Sequence, residues 1–140
     1  KGFYDFLMKN KVHSETQILK IENLNDSPDT KEIINSYIQQ HPEIEGIFVP
    51  SSRVYIVASS IDTALLENIE MIGFDNTPQN IQCLKDNSVS FLISQKPFDQ
   101  GYESVRLMTD YLILKKSMPS SKIHLPIEIL TKENVDYSSR

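Results

Sequence analysis

The chain has 140 residues, of which 39% are hydrophobic and 24% charged, and this length and composition suit one folded domain and exclude the disordered class. Its 14 Lys and Arg residues against 19 Asp and Glu residues give a net charge of −5. The sequence therefore lacks the excess of basic residues that binds a nucleic-acid backbone. The single cysteine, Cys83, excludes an internal disulfide, and no apolar run approaches the roughly 20 residues that span a bilayer.

Apolar spacing along the chain predicts helices that alternate with short strands. Helices are predicted, in chain order, over residues 2–11, 28–40, 54–61 and 97–112, with strands over 16–22, 46–49, 69–74, 89–94 and 122–130. Ser27 and Pro28 supply a cap and a first helical residue for the second helix. The first helix starts with neither an initiator Met nor a cap, so we expect a processed chain or an excised fragment.

This alternation predicts an α/β fold in which helices cover a parallel sheet in three layers. Pro126 cannot donate to a strand ladder, so the last strand is expected at an edge or with an irregular course. Ligands of such sheets collect at the carboxyl ends of the strands. The loops that follow the strands ending near residues 49, 74 and 94 are therefore the candidate site.

Polar side chains converge at these strand ends, in residues 50–53, 75–78 and 95–98. Carboxylates accept hydrogen bonds from sugar hydroxyls and amides both donate and accept, so Asp75 and Gln95 suit a polyhydroxylated ligand. Simpler roles stay open: Ser51 or Ser52 could only cap a helix, Asp75 could only fix a turn, and Gln95 could only cap backbone.

Enzyme signatures are absent from the sequence. The three histidines, His13, His41 and His124, are scattered without metal-ligand spacing, and neither GxGxxG nor a P-loop occurs. No sequence neighbour supplies a base to Cys83, which is expected to be an inert, half-buried thiol. We therefore expect no catalysis, no metal and no cofactor.

Five sequence segments, in order, resemble the ligand-sensing domain of the LacI/GalR repressor family, which is itself similar to periplasmic sugar-binding proteins. They cover nearly the whole chain: Gly2-Phe3 with Leu7, Gly46-Ile47-Phe48-Val49, Met71-Ile72-Gly73-Phe74-Asp75-Asn76, Ile93-Ser94-Gln95-Lys96-Pro97 with Gly101, and Glu133-Asn134-Val135.

The resemblance implies a periplasmic binding protein-like (type I) fold, truncated, in which an effector, expected to be a sugar, lies between two lobes. Residues 1–140 would form the C-terminal lobe, and residues 98–117 would cross to a missing N-terminal lobe. The apolar face of that crossing segment would then be exposed, which predicts self-association. A cytoplasmic homodimer is implied for the parent regulator, which would meet DNA only through its missing N-terminal domain and would not bind membrane.

By the same resemblance, Asp75 matches an effector-binding aspartate, and Gln95 matches the glutamine that precedes the crossing. Ser51 stands where the family usually has Asn, so the identity of the effector does not carry over. In the intact regulator the effector would shift operator affinity allosterically. The alternative reading is a periplasmic sugar-binding receptor of a transport system, whose site would look nearly the same.

Overall fold

The computed structural model describes residues 2–10, 14–117, 120 and 122–137. Its helices are α1 (Gly2–Asn10), α2 (Pro28–Gln40), α3 (Val54–Ser60), α4 (Thr63–Leu66), α5 (Pro78–Lys85), α6 (Pro97–Leu112) and a 3₁₀ turn (Val135–Tyr137). Its strands are β1 (Gly46–Phe48), β2 (Glu70–Phe74), β3 (Phe91–Ser94) and β4 (Glu128–Leu130). None of the described helices is both long and apolar enough to cross a membrane.

The four strands form one sheet in the order β1-β2-β3-β4. β1, β2 and β3 run parallel, whereas β4 pairs antiparallel with β3 through registers such as Leu92 opposite Leu130. The predicted α/β fold with a mainly parallel sheet is confirmed. β4 lies at a sheet edge, as Pro126 led us to expect.

Two helices, α2 and α5, each start with a hydroxyl N-cap residue followed by a proline. The Ser27 hydroxyl accepts a hydrogen bond from the Thr30 amide at 3.3 Å at the start of α2, and Pro28 follows at the first helical position. Thr77 and Pro78 repeat this arrangement at the start of α5.

The hydrophobic core lies between the sheet and the group formed by α2, α3 and α5. Val54 of α3 packs directly on Gly73 of β2, and alternate residues of β2 and β3, including Met71 and Leu92, point to the same side. The buried apolar residues of this core are Ile34, Ile38, Val49, Val54, Val57, Ala58, Ile61, Met71, Leu84, Val89, Leu92, Leu130 and Val135.

The strand predicted over residues 16–22 is wrong, because that segment is not assigned to any strand. A strand needs both a ladder partner and a face to bury. Ile18 is 67% exposed and Leu19 is 40% exposed, while only Ile21 of this segment packs against the core. An apolar sequence alone therefore does not make this segment a strand.

The strand predicted over residues 122–130 is too long, since only Glu128–Leu130 pairs with the sheet. Pro126 interrupts the donors that a longer ladder would need, and Ile123 and Ile127 are exposed. The sequence interpretation also missed α5, which it treated as a polar connection. The prediction of a helix over residues 2–11 is confirmed through Asn10, and Lys11 lies outside the described residues.

The predicted helix from Pro97 to Leu112 is present as α6, and none of its residues is buried. Its apolar side chains line one side of the helix, and most face solvent. The exposed members are Phe98, Tyr102, Val105, Met108, Tyr111 and Leu112. α6 therefore has an apolar face without a covering partner among the described residues.

Candidate functional site

A groove of about 480 Å³ opens at the carboxyl ends of β2 and β3. It is lined by Ser52, Asp75, Asn76, Thr77, Gln95, Pro97 and Gln100. These residues come from the loops after β1, β2 and β3 and from the first turn of α6. The groove therefore lies where parallel α/β sheets usually bind ligands.

Asp75 is the first residue after β2, and the groove exposes part of its side chain. Its amide donates to the Ile93 carbonyl at 2.9 Å, which continues the pairing of β2 with β3 beyond the end of β2. Its φ of 66° lies in the left-handed region, which Asp and Asn tolerate better than most residues. The backbone therefore turns sharply at the residue that brings a carboxylate to the groove.

Gln95 is exposed and follows β3 directly. Its Nε2 donates to Asp75 Oδ1 at 3.4 Å, so the structure brings together the two residues that the sequence singled out. Its carbonyl accepts from Gln100 Nε2 at 2.7 Å. Both ends of Gln95 are thus connected to other groove residues.

Lys96 helps to fix the course of the chain beyond Gln95. Its φ of 51° is left-handed, and its amide donates to Ser94 Oγ at 3.3 Å. Its ammonium lies 3.5 Å from a carboxylate oxygen of Glu128 on β4. These contacts hold the turn between β3 and α6, from which Gln95 projects.

Ser51 does not line the groove, although its neighbour Ser52 does. The Ser51 hydroxyl accepts from the Arg53 amide at 3.0 Å in the loop before α3. The helix-capping role that the sequence left open for Ser51 or Ser52 is not observed, because the N-cap residue of α3 is Arg53 and no side chain caps it. The role of Ser51 as a ligand contact stays a prediction.

Gln100, which lines the groove, and Asn80, which lies beneath it, had no assigned role in the sequence interpretation. Gln100 reaches the groove because α6 begins at Pro97 and turns this side chain back toward Gln95. Asn80 is completely buried beneath the loops and holds their backbone. The Thr77-Pro78 helix start is the sequence signal that could have located Asn80 in the first turn of a helix.

Across the described residues, no three His, Cys, Asp or Glu side chains are grouped so that they could hold a metal ion. His41 pairs with Glu43 at 3.0 Å, His124 is exposed, and His13 lies outside the described residues. The groove offers one carboxylate together with amides and hydroxyls. This donor set suits hydrogen bonding to a neutral polar ligand.

Residues 1–116 match the family described as periplasmic binding protein domain. The chain therefore belongs to this family of binding domains.

Curated relatives of the chain are sugar import proteins. The ribose import binding protein RbsB of Salmonella typhimurium is 22% identical over 102 residues, which cover 72% of this chain and 34% of the relative. The fructose import binding protein FruE of Bifidobacterium longum is 28% identical over 110 residues, covering 74% of this chain and 33% of the relative. The chain thus spans about a third of the length of these curated relatives.

Solved structures share the fold. A proposed LacI transcriptional regulator from Bacteroides fragilis superposes with a TM-score of 0.82 and 31% identity, covering 99% of this chain and 47% of that protein. A solute binding protein from Burkholderia graminis, in complex with D-arabinose, gives a TM-score of 0.71 at 21% identity, covering 89% of this chain and 45% of that protein. Regulators and transport receptors are therefore both among the proteins that resemble this chain.

Proposed function

We propose that this chain binds a sugar in the groove and forms part of the effector-sensing domain of a LacI-type transcriptional regulator. The observation that carries the proposal is the pairing of Asp75 with Gln95 at the carboxyl ends of adjacent parallel strands. A carboxylate accepts from two sugar hydroxyls, and the neighbouring amide both donates and accepts. The groove binds and does not catalyse in this proposal.

The chain would form the C-terminal lobe, and residues 98–117 would cross to a second lobe. Two observations support this arrangement. The structural relatives are about twice as long as the matched region, and α6, whose first turn lines the groove, has an apolar face that no described residue covers. Contacts from a second lobe would complete the cleft, so we expect the 140-residue chain alone to bind sugars weakly.

The regulator is supported by the Bacteroides fragilis structure, which matches almost the full length of this chain at 31% identity. In such a protein the sugar would bind one lobe arrangement more tightly and thereby shift the affinity for operator DNA. We infer a cytoplasmic homodimer that meets DNA through a separate domain.

A periplasmic receptor of a sugar transport system is the second candidate. It is supported by the ribose and fructose import proteins, which match about three quarters of this chain. The full-length gene product separates the two candidates. Sugar-dependent release from, or binding to, operator DNA is expected for the regulator, whereas export of the protein from the cytoplasm without DNA binding would support the receptor.

Calorimetric titration of the full-length product with D-ribose, D-arabinose, D-allose and D-fructose tests the site. Asp75→Asn should weaken binding of the preferred sugar about tenfold to a hundredfold, since a charge-assisted hydrogen bond is worth about 1.5–3 kcal/mol. Asn tolerates the left-handed backbone at this position, so the fold should persist.

Asp62→Asn is the matched control, because Asp62 is an exposed carboxylate paired with Lys31 outside the groove. This variant should bind sugar as the native protein does. Equal affinities of the native and Asp75→Asn proteins would remove Asp75 from the site.

A further inference from the structure

Asn80 is fully buried beneath the groove, and both ends of its side-chain amide are used. Its Nδ2 lies within hydrogen-bond distance of the carbonyls of Ser52 at 2.9 Å, Phe74 at 2.9 Å and Asp75 at 3.0 Å, and because the amide has two hydrogens, one of them is shared between two carbonyls. Its Oδ1 accepts from the Tyr55 amide at 3.2 Å. One side chain thus connects the loop after β1, the end of β2 and the start of α3.

The position of Asn80 is itself fixed. Its backbone amide donates to Thr77 Oγ1 at 3.3 Å, in the capping contact at the start of α5. A buried side chain anchored in this way has little freedom to follow movements of the loops. The loops are therefore held against α5 by a rigid group.

Asp75 is the groove residue that this network affects most directly. Its carbonyl accepts from Asn80 while its φ is 66°, a conformation that costs free energy for any residue with a side chain. The carbonyls of Phe74 and Asp75, on either side of this residue's amide and φ torsion, are both held by Asn80. The direction in which the Asp75 side chain leaves the backbone is thus set before any ligand arrives.

We propose that Asn80 is a positioning residue, which fixes the loops after β1 and β2 so that Asp75 is ready to bind the ligand. The part of this inference that concerns binding rests on the proposed sugar site. Because loops ordered in advance lose less conformational freedom on binding, they raise affinity without touching the ligand.

Asn35 provides a matched control for a buried amide that only holds structure. Its Nδ2 donates to the Ser60 carbonyl at 2.9 Å, and its Oδ1 accepts from the Asp62 amide at 2.9 Å. It is also buried, but it connects α2 to the end of α3, away from the groove. Asn35→Ala should lower stability as Asn80→Ala does, without reaching the groove loops.

The first experiment needs no ligand. Hydrogen exchange of the 140-residue chain is compared for native, Asn80→Ala and Asn35→Ala forms, with the Leu92 amide in β3 as an internal reference. Asn80→Ala should speed exchange of the Tyr55 amide at least about tenfold relative to Leu92, the effect expected for the loss of its hydrogen bond to Asn80 Oδ1. It should also speed exchange of the Asp75 amide, which keeps its own bond to the Ile93 carbonyl, because the carbonyls on either side of it are released. Asn35→Ala should leave these ratios unchanged. Equal ratios in all three proteins would overturn the positioning role.

The second experiment asks whether Asn80 acts through Asp75. In the full-length product, Asn80→Ala should weaken sugar binding about tenfold in the native background, but less than about twofold when Asp75→Asn is already present. Asn35→Ala should leave the affinity unchanged. Independent, additive losses would show that Asn80 only supports the fold and would overturn the proposal.

The two experiments fail in different ways. If no sugar binds the native protein, the sugar proposal is contradicted, and the exchange ratios alone decide the role of Asn80. If Asn80→Ala does not fold, Asn80→Ser replaces it, since the hydroxyl retains one donor. The same local pattern at smaller amplitude would support the proposal, and a uniform loss of protection would overturn it.

Discussion

Asp75 shows how backbone conformation and side-chain chemistry combine at one position. Asp75 follows β2 in a left-handed backbone conformation, and its carboxylate accepts a hydrogen bond from the side-chain amide of Gln95 at 3.4 Å. The sequence located both residues because each directly follows an apolar strand. It did not reveal the underlying support from Asn80, because that role depends on three carbonyls that only the folded chain brings together.

Gly73 permits the close packing of α3 on β2. A Cβ at this position would lie 2.4 Å from Val54 Cγ1, in a fully buried contact. Gly73→Ala should therefore lower the free energy of unfolding by about 1–3 kcal/mol, as expected for overpacking. Urea denaturation measures the change.

Gly101 is the matched control, because a Cβ there meets no atom within 4 Å and the residue lies inside α6. Gly101→Ala should raise the free energy of unfolding by about 0.5–1 kcal/mol through helix propensity. A loss of stability at Gly101, or none at Gly73, would contradict the packing described above.

Burial raises the pKa of the Cys83 thiol above its ordinary value. The folded chain then holds the thiol proton more tightly than the unfolded chain, so this group's contribution to stability falls as pH rises through the ordinary thiol range. Iodoacetamide should alkylate the native chain more slowly than the urea-unfolded chain at pH 8–9. Equal rates would show that the thiol is not shielded.

The elements differ in how fully their own sequence specifies them. α2 carries its cap, its first-position proline and its apolar stripe locally, and its bounds were predicted at both ends. α5 has only a few apolar residues, so it was missed in spite of its Thr77-Pro78 start. Strands depend on partners, and for this reason the apolar pattern of residues 16–22 predicted a strand that does not form.

α6 has the most exposed apolar surface of the described elements. Val105 is 68% exposed within its apolar face. Exposed apolar surface of this kind favours association. Sedimentation should show concentration-dependent self-association of the 140-residue chain, and Val105→Lys should shift it toward monomer.

Gln40→Lys adds the same charge at an exposed position at the end of α2, outside α6 and its apolar face, so this variant should associate as the native chain does. Equal association of the native chain and Val105→Lys would show that the face does not mediate contact. An equal loss of self-association in both variants would show that the added charge alone causes the effect.

At the scale of the whole molecule, the described residues form a groove at each end of the parallel strands. The groove that includes Asp75 lies at the carboxyl ends, and a second groove of about 310 Å³, with Glu70, Asn87 and Lys132 in its lining, lies at the amino ends. Parallel α/β sheets usually bind ligands at the carboxyl ends of their strands, which favours the groove that includes Asp75 as the binding site. The relatives are two to three times longer than the matched region, which is consistent with a cleft completed by a second lobe.

A sugar titration followed by amide chemical shifts tests the central claim most directly. Adding D-ribose or D-arabinose to the isotope-labelled 140-residue chain should shift the amides of Asp75, Asn76, Thr77 and Gln95, with saturation only at high sugar concentration. The chemical shifts of the Asn87 and Lys132 amides, which belong to the groove at the amino ends of the strands, should not change. Shifts confined to those two residues, or no saturable shift with any sugar, would contradict the proposed site.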